Sequence, residues 1–225
     1  MLKFDKASHT YKNIHTDAEY TSATTLINKF KKKFDADFFA KKAANKEGVT
    51  PDVIKARWKQ MNDASKTKGS NIHEAIDKFN KTGVKTEEYR ELIEAIDSLN
   101  LYDLTKTKCE ELVYNHDYRL AGTADIIEDL GSVFNVYDFK TNKRFNLHSP
   151  YGSSLLDPVS HLSDCEYNIY SLQLSLYAYM YKSMTGKRIG KLGIIYLNPD
   201  NKPEIYNTPY LHTDIKRMLD YNGKN

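Results

Sequence analysis

Cysteine, proline and long apolar runs are all scarce in this chain of 225 residues. Its two cysteines, Cys109 and Cys165, are far apart and form no C-x-x-C pattern, which excludes a disulfide scaffold, a zinc ribbon and an iron–sulfur cluster. No apolar stretch approaches the roughly 20 residues that span a bilayer, so we expect no membrane partner. The first ten residues lack the layout of a signal peptide, and a reducing, cytoplasmic location is therefore expected.

The net charge of +3 is too small to indicate a nucleic-acid partner by itself. The charge is unevenly distributed, however, because KFKKKFD at 29–35 opens a lysine-rich stretch that continues to residue 68. Lysines beside aromatic rings suit a channel for a nucleic-acid strand, since ammonium groups meet phosphates and rings stack on bases. The alternative is a solvated helix face.

Hydrophobic periodicity predicts helices in the first half of the chain and strands in the second. After a hairpin over 2–20, it predicts helices near 23–30, 35–46 and 52–65, a break at Gly69–Ser70, and helices from 71 and over 86–100. It then predicts strands at 109–115, 119–127 and 132–140, a loop at 141–165, a helix at 168–184, a strand at 191–198 and a helix at 212–220. This pattern indicates an α/β domain over 1–225, with a central mixed sheet flanked by helices.

The stretch VYDFK at 136–140 places two charges inside an apolar strand. Strand alternation puts Asp138 and Lys140 on one face and the aromatic residues between them on the other. Asp125 lies in the preceding strand, and a hairpin would bring it close to Asp138. Two crowded carboxylates repel each other, and either a cation or a shared proton relieves the repulsion. With oxygen ligands the cation would be Mg²⁺ or Mn²⁺, and such an ion beside a lysine suits phosphodiester hydrolysis. The alternative is a surface ion pair.

Five short motifs occur in a characteristic order: KGSNIHE (68–74), CEELV (109–113), GTAD (122–125), DFKT (138–141) and QLSLY (173–177). Together they resemble the RecB-like branch of the PD-(D/E)XK nuclease superfamily over roughly residues 68–180. TSATTLI (21–27) and ARWKQ (56–60) are similar to segments of the mitochondrial genome-maintenance exonuclease and of related phage nucleases. The resemblance implies a restriction-endonuclease-like core at 68–200, preceded by a helical, lysine-rich accessory part at 1–67.

The resemblance implies a metal shell and a catalytic lysine. Asp125 and Asp138 would hold Mg²⁺ or Mn²⁺ together with the Phe139 carbonyl and His73, and Lys140 would act in catalysis. Members of the branch with an iron–sulfur cluster carry four cysteines, which this chain lacks.

Further residues have supporting roles in the resemblance. Gln173 and Tyr177, one helical turn apart, would hold the lysine or the attacking water. The branch's strand glutamate falls on Glu110 or Glu111, and spacing to Asp125 favours Glu110. We expect the substrate-binding residues to be Ser22, Lys31, Lys32, Trp58, Lys143 and Arg144.

The expected function is a metal-dependent DNA exonuclease that acts on single strands or free ends in replication, recombination or repair, in the host cytoplasm if the chain is viral. The alternatives are a structure-specific endonuclease and an inactive DNA-binding module on the same fold. A glycosidase with paired carboxylates would leave Lys140 and the histidine helix without a role. The loop at 141–165 is expected to face substrate or form a lid rather than a second metal site, and the oligomeric state stays open.

Overall fold

The computed structural model describes residues 2–5, 8, 10–200 and 202–223. Within these residues the strands are β1 (Leu2–Asp5), β2 (Thr10–Asn13), β3 (Glu19–Ser22), β4 (Thr107–Asn115), β5 (Leu120–Asp129), β6 (Val133–Lys140), β7 (Arg188–Leu197) and β8 (Pro203–Thr208). The helices are α1 (Ala23–Asn28), α2 (Ala36–Glu47), α3 (Pro51–Thr82), α4 (Arg90–Ser98), α5 (Glu166–Thr185) and α6 (His212–Gly223). Short 3-10 turns cover Glu87–Tyr89 and Leu104–Lys106.

The strands form one mixed sheet, which confirms the predicted fold class of an α/β sheet flanked by helices. Its order is β1-β2-β3-β5-β6-β7-β8, and β4 pairs with β5 alone. The β3–β5 and β6–β7 pairs are parallel and the other pairs are antiparallel. Helix α5 makes the long crossover that a parallel β6–β7 pair requires.

One edge of β5 is divided between two partners. Because β4 pairs along one edge of β5, both β3 and β6 must share the other. β3 pairs with Leu120 and Ala121, whereas the β6 ladder reaches only to the Ile126–Tyr137 pair. Residues 122–125 of β5 therefore face the opening between β3 and β6. The sheet forks at this point.

Two apolar layers cover the sheet. On one side, which we call the α5 side, helices α1, α5 and α6 pack over residues such as Ala124, Ile127 and Val136. On the other, the α3 side, helices α3 and α4 pack over Ile126 and its neighbours on β6 and β7. Residues 171–178 of α5 are buried all round, as expected for a helix in the middle of a core.

The predicted helix break at Gly69–Ser70 is wrong, because α3 runs without interruption through both residues. Glycine is tolerated inside a helix at a cost of about 1 kcal/mol relative to alanine. Its role here is steric: a Cβ at Gly69 would meet Thr141 Oγ1 at 2.9 Å. The glycine therefore lets α3 pass close to the end of β6, and one helix leads from the lysine-rich segment to His73.

The remaining elements follow the predicted order, with two additions. The short strands β3 and β8 were not predicted, since four to six residues of mixed polarity carry little periodic signal. The hairpin of β1 and β2 was predicted; its His9 lies outside the described residues. In the described part of the chain, no helix is both long enough and apolar enough to cross a membrane.

Candidate active site

The fork in the sheet opens into a cleft with a volume of about 1090 Å³. Side chains from α3, β4, β5, β6 and α5 line it, together with the start of α1. The predicted site residues among the lining are Ser22, His73, Glu110, Asp125, Asp138, Phe139, Lys140, Gln173 and Tyr177. Residues from Ser22 to Tyr177 thus meet in one concavity, which is the usual form of a ligand site.

Three potential metal ligands converge on the α3 side of the cleft. His73 of α3, Glu110 of β4 and Asp125 of β5 each offer a ligand atom, and these atoms all lie within 4.8 Å of one another. His73 Nδ1 is 3.4 Å from Asp125 Oδ2. Glu110 stands opposite Asp125, because Cys109 pairs with Ile126 and Glu111 pairs with Ala124.

Glu110 reaches this group through an unusual backbone conformation. Its φ is +52°, in the left-handed region that residues other than glycine rarely adopt. Cys109 packs on the α3 side and Glu110 points to the same side, whereas regular alternation would separate them. Glu111 instead faces Lys108, with Glu111 Oε1 and Lys108 Nζ 3.8 Å apart. The left-handed backbone at Glu110 thus places this residue, rather than Glu111, beside His73 and Asp125.

Asp125 is fixed by the backbone of the neighbouring strand. The N–H of Phe139 donates a hydrogen bond of 2.7 Å to Asp125 Oδ2. Since the β5–β6 ladder has ended one pair earlier, the carboxylate takes the place of a strand carbonyl as the acceptor. The predicted approach of Asp125 and Asp138 occurs just past the end of the ladder. Phe139 donates its N–H to Asp125 there, and the metal contact expected of its carbonyl stays a prediction.

A chain of polar contacts links β6 to α5. Lys140 Nζ lies 2.5 Å from Asp138 Oδ2 and donates to Gln173 Oε1 at 3.1 Å. Gln173 Nε2 donates in turn to the hydroxyl of Tyr177 at 2.7 Å. Val136 packs on the α5 side, and Tyr137 and Phe139 pack on the α3 side, as strand alternation predicted. The ammonium group of Lys140 is thereby held between the carboxylate of Asp138 on its own strand and the amide oxygen of Gln173 on α5.

Two further residues, to which the sequence analysis gave no role, shape this chain of polar contacts. Tyr170 lies one turn before Gln173, and Lys140 Nζ is 4.6 Å from the centre of its ring. Gly122 lies under the ring of Tyr177, where a Cβ would collide with the ring carbons. The i, i+3 and i+7 spacing of Tyr170, Gln173 and Tyr177 on α5 is the signal that could have identified Tyr170.

The titratable groups in the cleft form a coupled set. Burial lowers the pKa of His73, but Asp125 and then Asp138 outweigh it and raise that pKa to about 9. Burial raises the pKa of Asp138 to about 6, with Lys140 opposing the rise and Asp125 adding to it. Burial opposes the charged forms of Asp125 and Lys140 as well, but His73 and then Lys140 keep the pKa of Asp125 below its ordinary value, and Asp138 and then Asp125 keep the pKa of Lys140 above its ordinary value. Two cationic groups therefore balance two crowded carboxylates.

These residues fit a divalent metal ion. Two carboxylates and an imidazole nitrogen are an accepted ligand set for divalent ions, and the carboxylates suit Mg²⁺ and Mn²⁺. Asp138 Oδ2 is buried and lies 2.5 Å from Lys140 Nζ, and since a carboxylate oxygen has two lone pairs, this single contact leaves acceptor capacity for a second cation. A buried carboxylate oxygen with unused acceptor capacity is what a cation would satisfy.

The predicted substrate-binding residues are spread over a wider surface. Ser22 caps α1 by accepting from Thr25 N at 3.0 Å and lines the cleft. Lys143 and Arg144 are exposed just beyond β6, and Lys31 and Lys32 follow α1. Trp58 lies on α3 against α2. These last five residues are outside the cleft lining.

The two histidines of the loop at 141–165 lie outside the group of His73, Glu110 and Asp125. His161 Nε2 lies 3.1 Å from Asp214 Oδ1 of α6, and His148 is exposed. Across the described residues, the group of His73, Glu110 and Asp125 is the one cluster of at least three metal-binding side chains. The loop's His148, His161 and Asp164 are not members of that cluster.

The chain aligns with solved structures at low sequence identity and low TM-score. No family model and no curated protein matches the chain. Among solved structures, SSO0001 aligns with 91% of this chain and 74% of its own length, at 15% identity and a TM-score of 0.41. A protein from Eubacterium rectale that is named an exonuclease only provisionally aligns with 72% of this chain and 64% of its own length, at 14% identity and a TM-score of 0.42.

Proposed function

We propose that the chain is a metal-dependent deoxyribonuclease of the PD-(D/E)XK superfamily, in its RecB-like branch, which hydrolyses phosphodiester bonds at DNA ends. The observation that carries the proposal is the convergence of His73, Glu110 and Asp125 in one cleft, with their ligand atoms within 4.8 Å of one another. Lys140 lines the same cleft. A metal-binding group beside a buried ammonium group suits a reaction in which negative charge grows on a phosphoryl group.

His73, Glu110, Asp125 and Asp138 would hold Mg²⁺ or Mn²⁺, which when bound polarises a phosphoryl oxygen and lowers the pKa of water. Lys140 is aimed into the cleft by Asp138 and Gln173, so its ammonium group can donate to a phosphate oxygen as charge accumulates there. Tyr177 accepts from Gln173 and so keeps the Gln173 oxygen turned toward Lys140. In the net reaction, hydroxide from water bonds to phosphorus, and the departing sugar oxygen gains the proton.

We favour cleavage at DNA ends over internal cleavage, because the motifs resemble those of exonucleases and because a basic helical segment precedes the cleft residues in the chain. We place the activity in DNA replication, recombination or repair, including that of a phage. Cys109 and Cys165 are both unpaired, which suits a reducing cytoplasm, or the host cytoplasm for a viral protein.

The central experiment measures cleavage of end-labelled linear DNA with Mg²⁺, Mn²⁺ or EDTA. Wild type is expected to cleave only with metal, and Asp138→Asn is expected to reduce cleavage at least about a hundredfold. Glu110→Gln should also be inactive, whereas its neighbour Glu111→Gln is a matched control that should retain activity. Cleavage that persists in EDTA, or equal activity of the two glutamine variants, would overturn the metal mechanism.

The preference for ends is tested separately with a covalently closed circle of the same sequence. An exonuclease leaves the circle intact and shortens the linear form from its label. Degradation of both forms at the same rate would instead assign the site to an endonuclease. Metal-dependent DNA binding without any cleavage would identify an inactive binding module.

A further inference from the structure

The lysine-rich segment carries exposed aromatic rings that the fold does not bury. Phe34, Phe38 and Phe39 are 65%, 60% and 43% exposed, although phenylalanine is ordinarily an interior residue. The rings of Phe34 and Phe39 are stacked with centroids 4.9 Å apart, and Phe38 meets Phe39 edge-on at 5.2 Å. Phe34 also meets Trp58 edge-on at 5.9 Å. We call these four residues the aromatic platform.

The surroundings of the aromatic platform are strongly basic. Residues 29–68 contain 12 lysines and arginines and 5 aspartates and glutamates, a net charge of +7, whereas the whole chain has +3. The remainder of the protein is therefore net negative. Within the described residues, ion pairs in this segment involve only two of its cations, Lys55 with Asp37 and Arg57 with Glu47. Lys29 Nζ donates to Asn222 Oδ1 at 2.6 Å, and the remaining cations are available to phosphates.

Helix geometry places the ring of Phe38 and the charges of two lysines on the same surface of α2. Phe38 is followed by Lys41 and Lys42 at i+3 and i+4 on α2, positions that neighbour it on the helix surface. Both lysines are exposed. An exposed ring flanked by ammonium groups at this spacing matches a base and its phosphates. A surface that bound a second protein through apolar contacts alone would not need the two lysines beside Phe38.

The platform is connected to the cleft by a rigid element. Trp58 and His73 lie on the same uninterrupted helix, α3. At 1.5 Å per residue, the helical rise between them is about 22 Å. At the stacked spacing of about 3.4 Å per nucleotide that a duplex strand has, this distance corresponds to about seven nucleotides, and a more extended single strand needs fewer. The platform is thus outside the reacting centre but within reach of the same substrate strand.

We propose that the aromatic platform is a stacking site for bases of a single-stranded nucleic acid, within about seven nucleotides of the cleft. This inference rests on the proposed function for the identity of the strand as DNA. It extends that function by assigning a single-stranded tail, rather than a duplex, to the basic hairpin of α2 and α3.

Trp58 is the chain's one tryptophan, which makes its fluorescence a direct probe of the platform. Binding of oligothymidylate is measured in EDTA, so that no cleavage occurs, across a range of salt concentrations. A 12-mer is expected to quench Trp58, whereas a blunt duplex of equal charge and a 4-mer are expected to quench it weakly. An RNA 12-mer distinguishes DNA preference from general single-strand binding.

Substitutions at Phe38 separate stacking from apolar contact. Phe38→Leu keeps an apolar side chain without a π face and should weaken 12-mer binding at least about fivefold, while Phe38→Tyr should bind within twofold of wild type. Lys41→Gln/Lys42→Gln should instead reduce the dependence of log affinity on log salt by about 1.4. Thermal unfolding is compared in parallel; since the ring is exposed, little change is expected.

Equal 12-mer affinity for wild type and Phe38→Leu would overturn the stacking site, as would absence of Trp58 quenching. Self-association, or binding to anionic vesicles, that Phe38→Leu abolishes would assign the rings to a second copy or to a lipid surface. The proposed nuclease function is independent of these results. The nuclease function is contradicted if metal-dependent cleavage is absent while Trp58 quenching still reports DNA binding. If cleavage is intact but Phe38→Leu binds the 12-mer like wild type, the nuclease function is supported and the stacking site is contradicted.

Discussion

The backbone N–H of Phe139 donates to the carboxylate of Asp125 across 2.7 Å, at the first position where β5 and β6 no longer pair. The bond closes the end of the ladder and aims Asp125 toward His73. A residue expected to bind metal is thus also a structural acceptor. The two roles can be separated by substitution.

Asp125→Ala is expected to lower the free energy of unfolding by about 1–3 kcal/mol, because it leaves the Phe139 N–H without its acceptor. Asp125→Asn retains an oxygen at this position and should lose less stability. Urea unfolding in EDTA measures both, and both variants should be inactive in the cleavage assay. Equal loss of stability in the two variants would mean that the hydrogen bond contributes little.

Glu110 is expected to store backbone strain, since its φ of +52° is costly for a residue with a Cβ. Glu110→Gly should therefore be more stable than Glu110→Ala by about 1 kcal/mol, against the usual order in strands. At the neighbouring Glu111 the usual order should hold, with alanine the more stable by about 0.5–1 kcal/mol. Chemical denaturation of the four variants gives the comparison; the same order at both positions would contradict the prediction.

Gly69 and Thr141 are expected to be coupled. In a Thr141→Ala background, Gly69→Ala should stabilise the protein by about 1 kcal/mol, as it does inside an unobstructed helix. With Thr141 present, the added Cβ would meet its Oγ1, so the gain should disappear or reverse. A double-mutant cycle should show a coupling of at least about 0.5 kcal/mol. Additive effects would show that Thr141 moves aside freely.

The ion pair between Asp129 and Lys187 predicts a pH-dependent stability away from the cleft. Lys187 Nζ lies 2.5 Å from Asp129 and holds the pKa of that carboxyl below its ordinary value of 3.8. Because the folded-state pKa is depressed, the stabilisation is complete well above pH 3.8 and is lost as the pH falls through 3.8 to the depressed folded value.

Asp129→Asn should therefore reduce the free energy of unfolding by up to about 1 kcal/mol at pH 7, and the difference from wild type should shrink toward zero at low pH. Asp117→Asn is the control, since Asp117 is exposed and has no ion pair with a described residue. A difference that stays constant from pH 7 down to pH 2 would show that the charge of Asp129 is not its source.

Periodicity located most helices and strands to within a few positions. Motif order drew attention to His73, Asp125, Asp138, Lys140 and Gln173, and all five line one cleft. Gly69 was interpreted wrongly, because a glycine that breaks a helix and a glycine that admits a neighbour are identical in sequence. Phe30 and Phe34 likewise share one basic motif, yet Phe30 is buried at 2% exposure and Phe34 is exposed.

The sequence by itself determined the order of the elements, the chemical groups available and the face of β6 on which Asp138 and Lys140 lie, since these depend on local period and composition. The tertiary structure decided which carboxylates meet. Glu110 rather than Glu111 joins His73 and Asp125 because the strand turns at a left-handed residue, and Asp125 is placed by a ladder that ends early. Such departures from regular geometry are maintained by contacts between distant segments, and no local pattern encodes them.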